Sequence, residues 1–175
     1  MNRLLALLPC LVLGLAVLAP ATAGAVGTTA PAGGTEAVPA RAAARQLQPA
    51  LEERVLELTN EQRAAHGCRA LKASKPLRRA ARRHTTAMAD AGQMSHQLPG
   101  EDRFSTRITR AGYRGWSLVA ENIARGFSSP EAVMSAWMNS PSHRKNILNC
   151  RLRELGVGVV LRDDQLWWTQ DFGVR

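Results

Sequence analysis

Two apolar runs near the C-terminal end constrain the fold of this chain more than any other feature. They span residues 155–161 and 166–172, and the polar turn Arg162-Asp163-Asp164 separates them. Two β-prone runs joined by a short polar turn predict an antiparallel hairpin. Because helical patterns come first and strands follow from the second half, the sequence favours an α+β layered fold over a doubly wound parallel sheet.

Apolar residues recur at helical spacing before that hairpin. The first such helix is predicted at 51–65. Ser129-Pro130 and Ser140-Pro141 each have the form of an N-cap followed by proline in the first turn, so each predicts a helix start. The other predicted elements are helices at about 76–91, 104–111, 130–139 and 141–148, and an extended segment at 116–124.

The first 25 residues are interpreted as an export signal. Arg3 is their only charge, 4–18 is an apolar run, and Ala21-Thr22-Ala23 provides a small-residue cleavage site. The alternative is a membrane anchor, but the run is short for a bilayer span of about 20 residues. We therefore expect a secreted or periplasmic protein with no stable membrane insertion after signal cleavage.

The rest of the chain divides into a spacer and one domain. Residues 26–50 are rich in Ala, Gly, Pro and Thr and lack a sustained apolar period, which predicts a disordered spacer. Residues 51–175 have a length that suits one domain with one hydrophobic core.

The cysteine count is consistent with export. Loss of Cys10 with the signal leaves Cys68 and Cys150, an even pair in an oxidising compartment. A disulfide between them would close a loop of about 80 residues, which the chain-entropy estimate values at roughly 4 kcal/mol. The alternative is a pair of buried free thiols.

The chain is strongly basic, with a formal net charge of +9 that becomes +8 when Arg3 leaves with the signal. Such a domain is attracted to anionic envelope polymers or anionic lipids. No aromatic residue lies among the clustered cations to stack on bases, so no specific nucleic-acid partner is expected. The alternative is a solvated helix face. The clustered residues are Arg69, Lys72, Lys75, Arg78, Arg79, Arg82 and Arg83.

Three polar residues stand out in separate segments, namely His96, Glu121 and His143. Glu121 lies within the otherwise apolar segment 119–124, where an unpaired carboxylate is costly to bury. Two imidazoles and a carboxylate can hold zinc or another divalent cation. The residues alone leave a second possibility equally open, in which the three are unrelated structural polar groups.

Two histidines lie on predicted helices. His84 falls on the apolar stripe of the helix at 76–91, so we expect a core histidine with a satisfied hydrogen bond rather than a ligand. His143 would be the third residue of a helix capped by Ser140. The helix start disfavours a charged imidazolium, which predicts a neutral imidazole able to bind a metal. The alternative for His143 is an ordinary surface position.

Five segments in order resemble the CAP superfamily (cysteine-rich secretory proteins, antigen 5, pathogenesis-related 1), and most closely its bacterial secreted branch. They are 59–63 (Thr-Asn-Glu-Gln-Arg), 94–96 (Met-Ser-His), 120–124 (Ala-Glu-Asn-Ile-Ala), 137–148 (from Trp137 to Leu148), and 156–158 with 168–172. The resemblance implies a single α-β-α sandwich with a central antiparallel sheet. It also implies a solvent-open cleft in which two His and two Glu can bind zinc or another divalent ion.

The resemblance assigns residues to that cleft. His96 matches the first His, Glu121 the first Glu and His143 the second His. Ser140, three residues after Trp137, stands where the second Glu is expected. Losing this carboxylate predicts weak or absent metal binding.

The leading hypothesis is a secreted, non-enzymatic CAP domain. It would bind a small or lipid-like ligand, or an envelope component, in a cleft formed by His96, Glu121, Asn122, Ser140 and His143. The second hypothesis is a metal-dependent hydrolase, with Glu121 as general base and the two His as ligands. The third is a secreted effector that acts through surface contacts.

Overall fold

The structure, a computed structural model, describes the backbone of residues 37–175 and the side chains from residue 47 onward. The predicted signal and the first part of the predicted spacer lie outside the described residues. The elements are α1 (Ala37–Ala65), β1 (Lys72–Ala73), α2 (Lys75–Ala91), α3 (Phe104–Arg110), β2 (Leu118–Arg125), α4 (Pro130–Asn139), α5 (Pro141–Ile147), β3 (Glu154–Arg162) and β4 (Gln165–Val174).

The four strands form one sheet in the order β1-β3-β4-β2. β3 and β4 form the predicted hairpin, in which Arg162 pairs with Gln165 and leaves Asp163 and Asp164 as the turn. Both turn residues have left-handed φ angles, of 48° and 57°, as a two-residue hairpin turn requires. β2 pairs antiparallel with β4, and only the two-residue β1, which was not predicted, runs parallel to its neighbour β3. The α+β prediction is confirmed.

Helix α2 covers one face of the sheet and packs closely because that face carries glycines. A Cβ atom on Gly156 would overlap the backbone of Leu77 and Arg78, and one on Gly158 would lie 2.5 Å from the Ala81 carbonyl carbon. Neither glycine is in a left-handed conformation. Their function is therefore to let helix and strand approach.

The opposite face of the sheet packs against α1, α4 and α5. Its core is built around large rings, including those of Trp137, Trp168 and Phe172, which are at most 1% exposed. Burying one such ring contributes about 2–3 kcal/mol by the area estimate. The two indole N–H groups also find partners, since Trp137 donates to the Ile123 carbonyl and Trp168 to the Phe127 carbonyl.

Helix α1 begins earlier than predicted. It starts at Ala37 rather than near Leu51, so residues 37–50 are helical and the spacer prediction is corrected for that part. Ala, Arg and Gln make up most of these residues and are strong helix formers. Pro49 lies inside the helix and removes one backbone hydrogen bond there, but the flanking residues continue the helix.

Two features join the end of α1 to the segment after α5. Cys68 and Cys150 form a disulfide with their Cα atoms 4.9 Å apart, which confirms the predicted bridge and rules out the free thiols. Arg63 is completely buried and has no acidic partner among the described side chains. Its guanidinium instead donates to four backbone carbonyls, those of Arg69, Ile147, Asn149 and Leu152.

The basic face of α2 is partly a structural ion-pair surface. Arg82 forms a two-pronged pair with Glu52, at 2.7 and 2.6 Å, and the Glu52 side chain is only 1% exposed. Arg78 lies 3.8 Å from the same carboxylate, and Arg79 donates to the Ala111 carbonyl. The side chain of Arg83, a fourth arginine of α2, makes no hydrogen bond or ion pair with any described residue.

Candidate functional site

Strand β2 carries the candidate site at an edge of the sheet. Because successive side chains of a strand point to opposite faces, Glu121 faces the α2 layer and Asn122 faces the α5 layer. Glu121 is 7% exposed and Asn122 is completely buried. The site therefore lies where the two helical layers meet at an edge strand.

Both carboxylate oxygens of Glu121 are engaged. His96 Nδ1 lies 2.8 Å from Oε1, and Arg107 Nη2 donates to Oε2 at 2.6 Å. A carboxylate accepts hydrogen bonds, so Nδ1 of His96 carries the proton and Nε2 remains for another partner. The His96 side chain is 59% exposed, which leaves Nε2 available to solvent or a ligand.

Arg107 reaches the site from α3 and is held on several sides. Its side chain is 10% exposed and also pairs with Glu101 Oε2 at 3.2 Å. It donates in addition to the backbone carbonyl of His96, at 2.9 Å, and to that of Asp102, at 3.3 Å. One guanidinium thus fixes both the carboxylate of the site and the loop that carries His96.

His84 connects α2 to this network. It is completely buried, and its Nδ1 lies 2.8 Å from Glu101 Oε1. Its Nε2 has no hydrogen-bond partner among the described residues and lies 3.9 Å from Glu121 Oε2. His84 is a core residue, as predicted, but only one of its ring nitrogens has a hydrogen-bond partner, and it lies directly behind the site.

Asp171 is a second carboxyl group beside Glu121. It pairs with Glu121 across β4 and β2 and with Gly156 on its other side, and it is 1% exposed. Burial raises the pKa of Asp171 well above its usual range, the negative charge of Glu121 raises it further, and the Arg107 charge opposes both. Burial and the Glu121 charge thus both favour the neutral form of Asp171.

His143 lies on α5 and is half-buried. Burial lowers the pKa of His143, and the positive charge of His96 lowers it further. The neutral imidazole agrees with prediction, although desolvation rather than the helix start is the main cause. The two imidazoles influence each other electrostatically, but no hydrogen bond among the described residues links the His143 ring to Glu121.

Asn122 lies behind the cleft rather than in it. Its side-chain amide donates to the His143 carbonyl at 3.2 Å and to Gln170 Oε1 at 3.1 Å, and its Oδ1 accepts from Asn146 at 2.8 Å. The prediction of a cleft residue is wrong because strand alternation turns Asn122 away from Glu121. Asn122 instead fixes the position of α5, and so of His143.

Ser140 marks the junction of α4 and α5. Its hydroxyl lies 3.3 Å from that of Ser142 and does not cap α5, which corrects the predicted side-chain cap. Ser129, by contrast, caps α4 by accepting from the Ala132 N–H. The structure thus pairs His96 directly with Glu121. His143 lies close enough to His96 for its pKa to be affected. Ser140 makes no hydrogen bond to any of the three.

The donor set does not suit a divalent metal. Both Glu121 oxygens are occupied, Arg107 places a positive charge on one of them, and Ser140 supplies no second carboxylate. Among the residues that the structure describes, no group of three or more His, Cys, Asp or Glu side chains is arranged to hold a metal ion. A metal would have to displace contacts that the chain already makes.

Sequence reasoning did not find three members of this network. Glu101 and Arg107 lie in a polar stretch without a distinguishing pattern, so no sequence signal pointed to them. Asp171 carries the same signal that singled out Glu121, which is a carboxyl group in an otherwise buried strand. Applying that criterion to both strands would have found it.

The fold and the site together define the class of protein. A sheet lies between α2 on one face and α1, α4 and α5 on the other, and a His–Glu pair sits at its edge. Residues 56–172 match the CAP family, the Cysteine-rich secretory protein family. This chain belongs to that family.

Two similar proteins come from Bacillus subtilis. The uncharacterized protein YkwD of Bacillus subtilis is 38% identical over 123 residues, which cover 70% of this chain and 47% of that protein. The uncharacterized membrane protein YlbC of the same strain is 31% identical over 128 residues, or 73% of this chain and 36% of that protein.

A solved structure supports the same assignment. An extracellular protein containing a SCP domain from Bacillus anthracis is 31% identical, with a TM-score of 0.71, and the match covers 75% of this chain and 43% of that one. The matched region spans less than half the length of each of these three proteins.

Proposed function

We propose that this domain is a non-enzymatic binding module. It binds a small or lipid-like molecule, or a component of the cell envelope, at the cleft formed by His96, Glu121 and His143. One observation carries the proposal: the Glu121 carboxylate is buried and already held by His96 and Arg107.

The saturation of Glu121 argues against the hydrolase hypothesis. A general base must reach the proton that it removes, directly or through one water. Glu121 is 7% exposed and its oxygens accept from two cationic or imidazole donors. Its contacts instead suit a positioning residue that holds His96 with Nε2 outward.

The nearby serines do not complete a nucleophilic arrangement. Ser95 donates to the Gln97 carbonyl, and Ser140 and Ser142 lie against each other. None makes a hydrogen bond to a histidine ring in the described part of the chain. A nucleophile and its base are expected within hydrogen-bond reach, so no serine here has the surroundings of a catalytic one.

We assign both polar and apolar contacts to the exposed part of the proposed cleft. His96 presents Nε2, half-buried His143 presents a neutral imidazole, and Met94 leaves 47% of its surface exposed two residues before His96. A polar head group could bond to the imidazoles while an apolar portion rests on Met94. This combination supports a small amphipathic or lipid-like ligand.

We further propose that the protein acts outside the cytoplasm. The Bacillus anthracis relative is described as extracellular, which agrees with the interpretation of residues 1–25 as an export signal. One Bacillus subtilis relative is described as a membrane protein. In the described residues, no helix has both the length and the apolar character needed to cross a bilayer.

The binding proposal is tested with palmitate and purified peptidoglycan sacculi as probes. Equilibrium dialysis measures palmitate binding, and co-sedimentation measures binding to sacculi. We expect the wild-type chain to bind at least one probe, and the His96→Ala/His143→Ala variant to bind it at least about tenfold more weakly, a loss of about 1.4 kcal/mol. His66→Ala is the control, because the His66 ring is exposed and, among the described residues, bonds only to the Gln62 carbonyl.

Two outcomes would contradict the proposal. Failure of the folded wild type to bind either probe would remove its support. Chemical conversion of palmitoyl esters or sacculi that stops on addition of a chelator would favour the metal-dependent hydrolase.

A further inference from the structure

The cation that neutralises the site belongs to the chain itself. Arg107 Nη2 lies 2.6 Å from Glu121 Oε2 in a contact that is almost closed to solvent. We propose that Arg107 is the resident cation of the His96–Glu121–His143 site and makes divalent metal unnecessary and unfavourable there. The inference deepens the proposed function, on which it rests, by assigning a metal-independent mode of binding.

The first argument concerns the donor atoms. A metal shared by His96, Glu121 and His143 needs a free carboxylate oxygen, but one oxygen accepts from His96 and the other from Arg107. Binding through Glu121 would therefore require at least one of these contacts to break.

The second argument concerns charge. A divalent ion at Glu121 would lie close to a guanidinium that is 10% exposed and weakly screened by water. Glu101 is the nearest additional acid, but its Oε2 accepts from Arg107 and from the Leu98 N–H, and its Oε1 lies 2.8 Å from His84 Nδ1. All four oxygens of the Glu101 and Glu121 carboxylates are therefore engaged, and neither group has a free oxygen to offset two more positive charges.

The third argument is that the Arg107 side chain is held in place beside Glu121. It donates to two backbone carbonyls and two carboxylates, so leaving would break four hydrogen bonds in a partly buried setting. Fixed donors of this kind are pre-organised, and the chain loses little entropy by keeping them in place. Arg107 therefore remains the cation of the site whether or not metal is present in solution.

The test is a zinc titration of the chelator-stripped chain, followed by calorimetry and thermal unfolding. We expect no zinc-dependent stabilisation of wild type. Arg107→Met removes the charge but keeps an unbranched side chain, and should bind zinc at least about tenfold more tightly than wild type, a difference of about 1.4 kcal/mol. That gain should disappear in Arg107→Met/His96→Ala. Arg107→Lys keeps the charge and should behave like wild type.

Matched controls separate this effect from adventitious binding. Arg110→Met removes a neighbouring, 70% exposed arginine that pairs with Asp102, and should leave zinc binding unchanged. His66→Ala should likewise have no effect. Far-ultraviolet circular dichroism confirms that each variant is folded.

Three results would overturn the proposal. In the first, the wild type binds zinc through His96 as tightly as Arg107→Met does. In the second, Arg107→Met folds but gains no zinc affinity. In the third, Arg107→Lys gains zinc affinity. If Arg107→Met does not fold, the wild-type and Arg107→Lys titrations still decide the matter. Because zinc is the only probe, failure to bind palmitate or sacculi would refute the binding module without affecting this result.

Discussion

Glu121 illustrates what one buried carboxylate demands of its neighbours. Strand β2 surrounds it with apolar residues, so its negative charge requires donors from outside the strand. The fold supplies them from two places, namely His96 in the loop after α2 and Arg107 on α3. A residue that is isolated in sequence is thus the centre of a network in space.

Asp171 leads to a prediction at the same scale. Its folded-state pKa lies above the unfolded value of about 3.9, so its contribution to stability is complete below about pH 4 and is lost as the pH rises toward the folded-state pKa. Asp171→Asn mimics the neutral acid and should remove this loss, so the variant should be at least as stable as wild type at pH 7. Urea unfolding of wild type and Asp171→Asn at a series of pH values measures the pH dependence and the stability at pH 7.

The control for Asp171 is Asp164→Asn, because Asp164 is an exposed residue of the hairpin turn. It should keep the pH profile of wild type. If Asp171→Asn also keeps that profile, the carboxyl group is ionised in the native state and the interpretation of the pair is wrong.

At the scale of elements, the distance between α2 and the sheet determines the geometry of the site. The buried residue His84 belongs to α2, the helix that approaches the glycines of β3 and the carboxyl groups beside them. The same close approach turns part of the basic face of α2 into ion pairs with α1. Spacing between helix and strand thus controls both the network behind the site and the charge at the surface.

Gly156→Ala tests that spacing. The added Cβ would overlap the backbone of α2, so the helix must move outward, and we expect destabilisation of about 3 kcal/mol or more. Gly67→Ala is the comparison, because Gly67 has open space around it but a φ of +73°, which should cost about 1–2 kcal/mol. Thermal unfolding ranks the two, and the reverse order would contradict the packing argument.

Arg82 and Arg83 separate structural from surface charge on α2. Arg82→Gln leaves the buried Glu52 carboxylate with only the longer Arg78 contact, so we expect a loss of about 1–3 kcal/mol. Arg83→Gln should leave stability unchanged and weaken salt-sensitive binding to anionic surfaces. Denaturation and co-sedimentation with anionic vesicles check the two effects, and equal stability of both variants would refute the distinction.

At the scale of the whole molecule, the C-terminal end of α5 is tied to α1 in two independent ways. The disulfide joins residues 82 positions apart, and Arg63 adds four hydrogen bonds to backbone carbonyls of the same region. Since α5 carries His143 and the Asn146 bond to Asn122, these ties also locate one side of the cleft.

Removing the disulfide should weaken the fold without abolishing the site. Cys68→Ala/Cys150→Ala is expected to lower the free energy of unfolding by about 2–5 kcal/mol, because the open chain gains entropy when unfolded. Wild type treated with a reductant should match the variant in urea unfolding. An unchanged midpoint in both would mean that Arg63 and the core alone determine stability.

The sequence by itself determined most of the elements and the family. Local signals predict the hairpin and its polar turn, the helices α2 to α5 and the cysteine pair. These signals are periodicity, capping residues and cysteine count, and each depends on residues that can be identified without the fold. They also identified Glu121, since an acid in an apolar strand stands out without any structure. The N-terminal part of α1 was missed because alanine is common both in spacers and in helices.

Only the tertiary structure decided the partners within the site. Arg107 lies 14 residues from Glu121 and Asp171 lies 50 residues from it, and no local pattern encodes which donor reaches a given carboxylate. The sequence predicted that Asn122 lines the cleft beside Glu121, but its side chain is buried on the opposite face of β2, because the facing of a strand relative to the two helical layers depends on packing. Which charges pair, and which face of the sheet a side chain occupies, depend on how the helical layers pack against the sheet. For this reason only the tertiary structure shows that an arginine contacts the central carboxylate of the site.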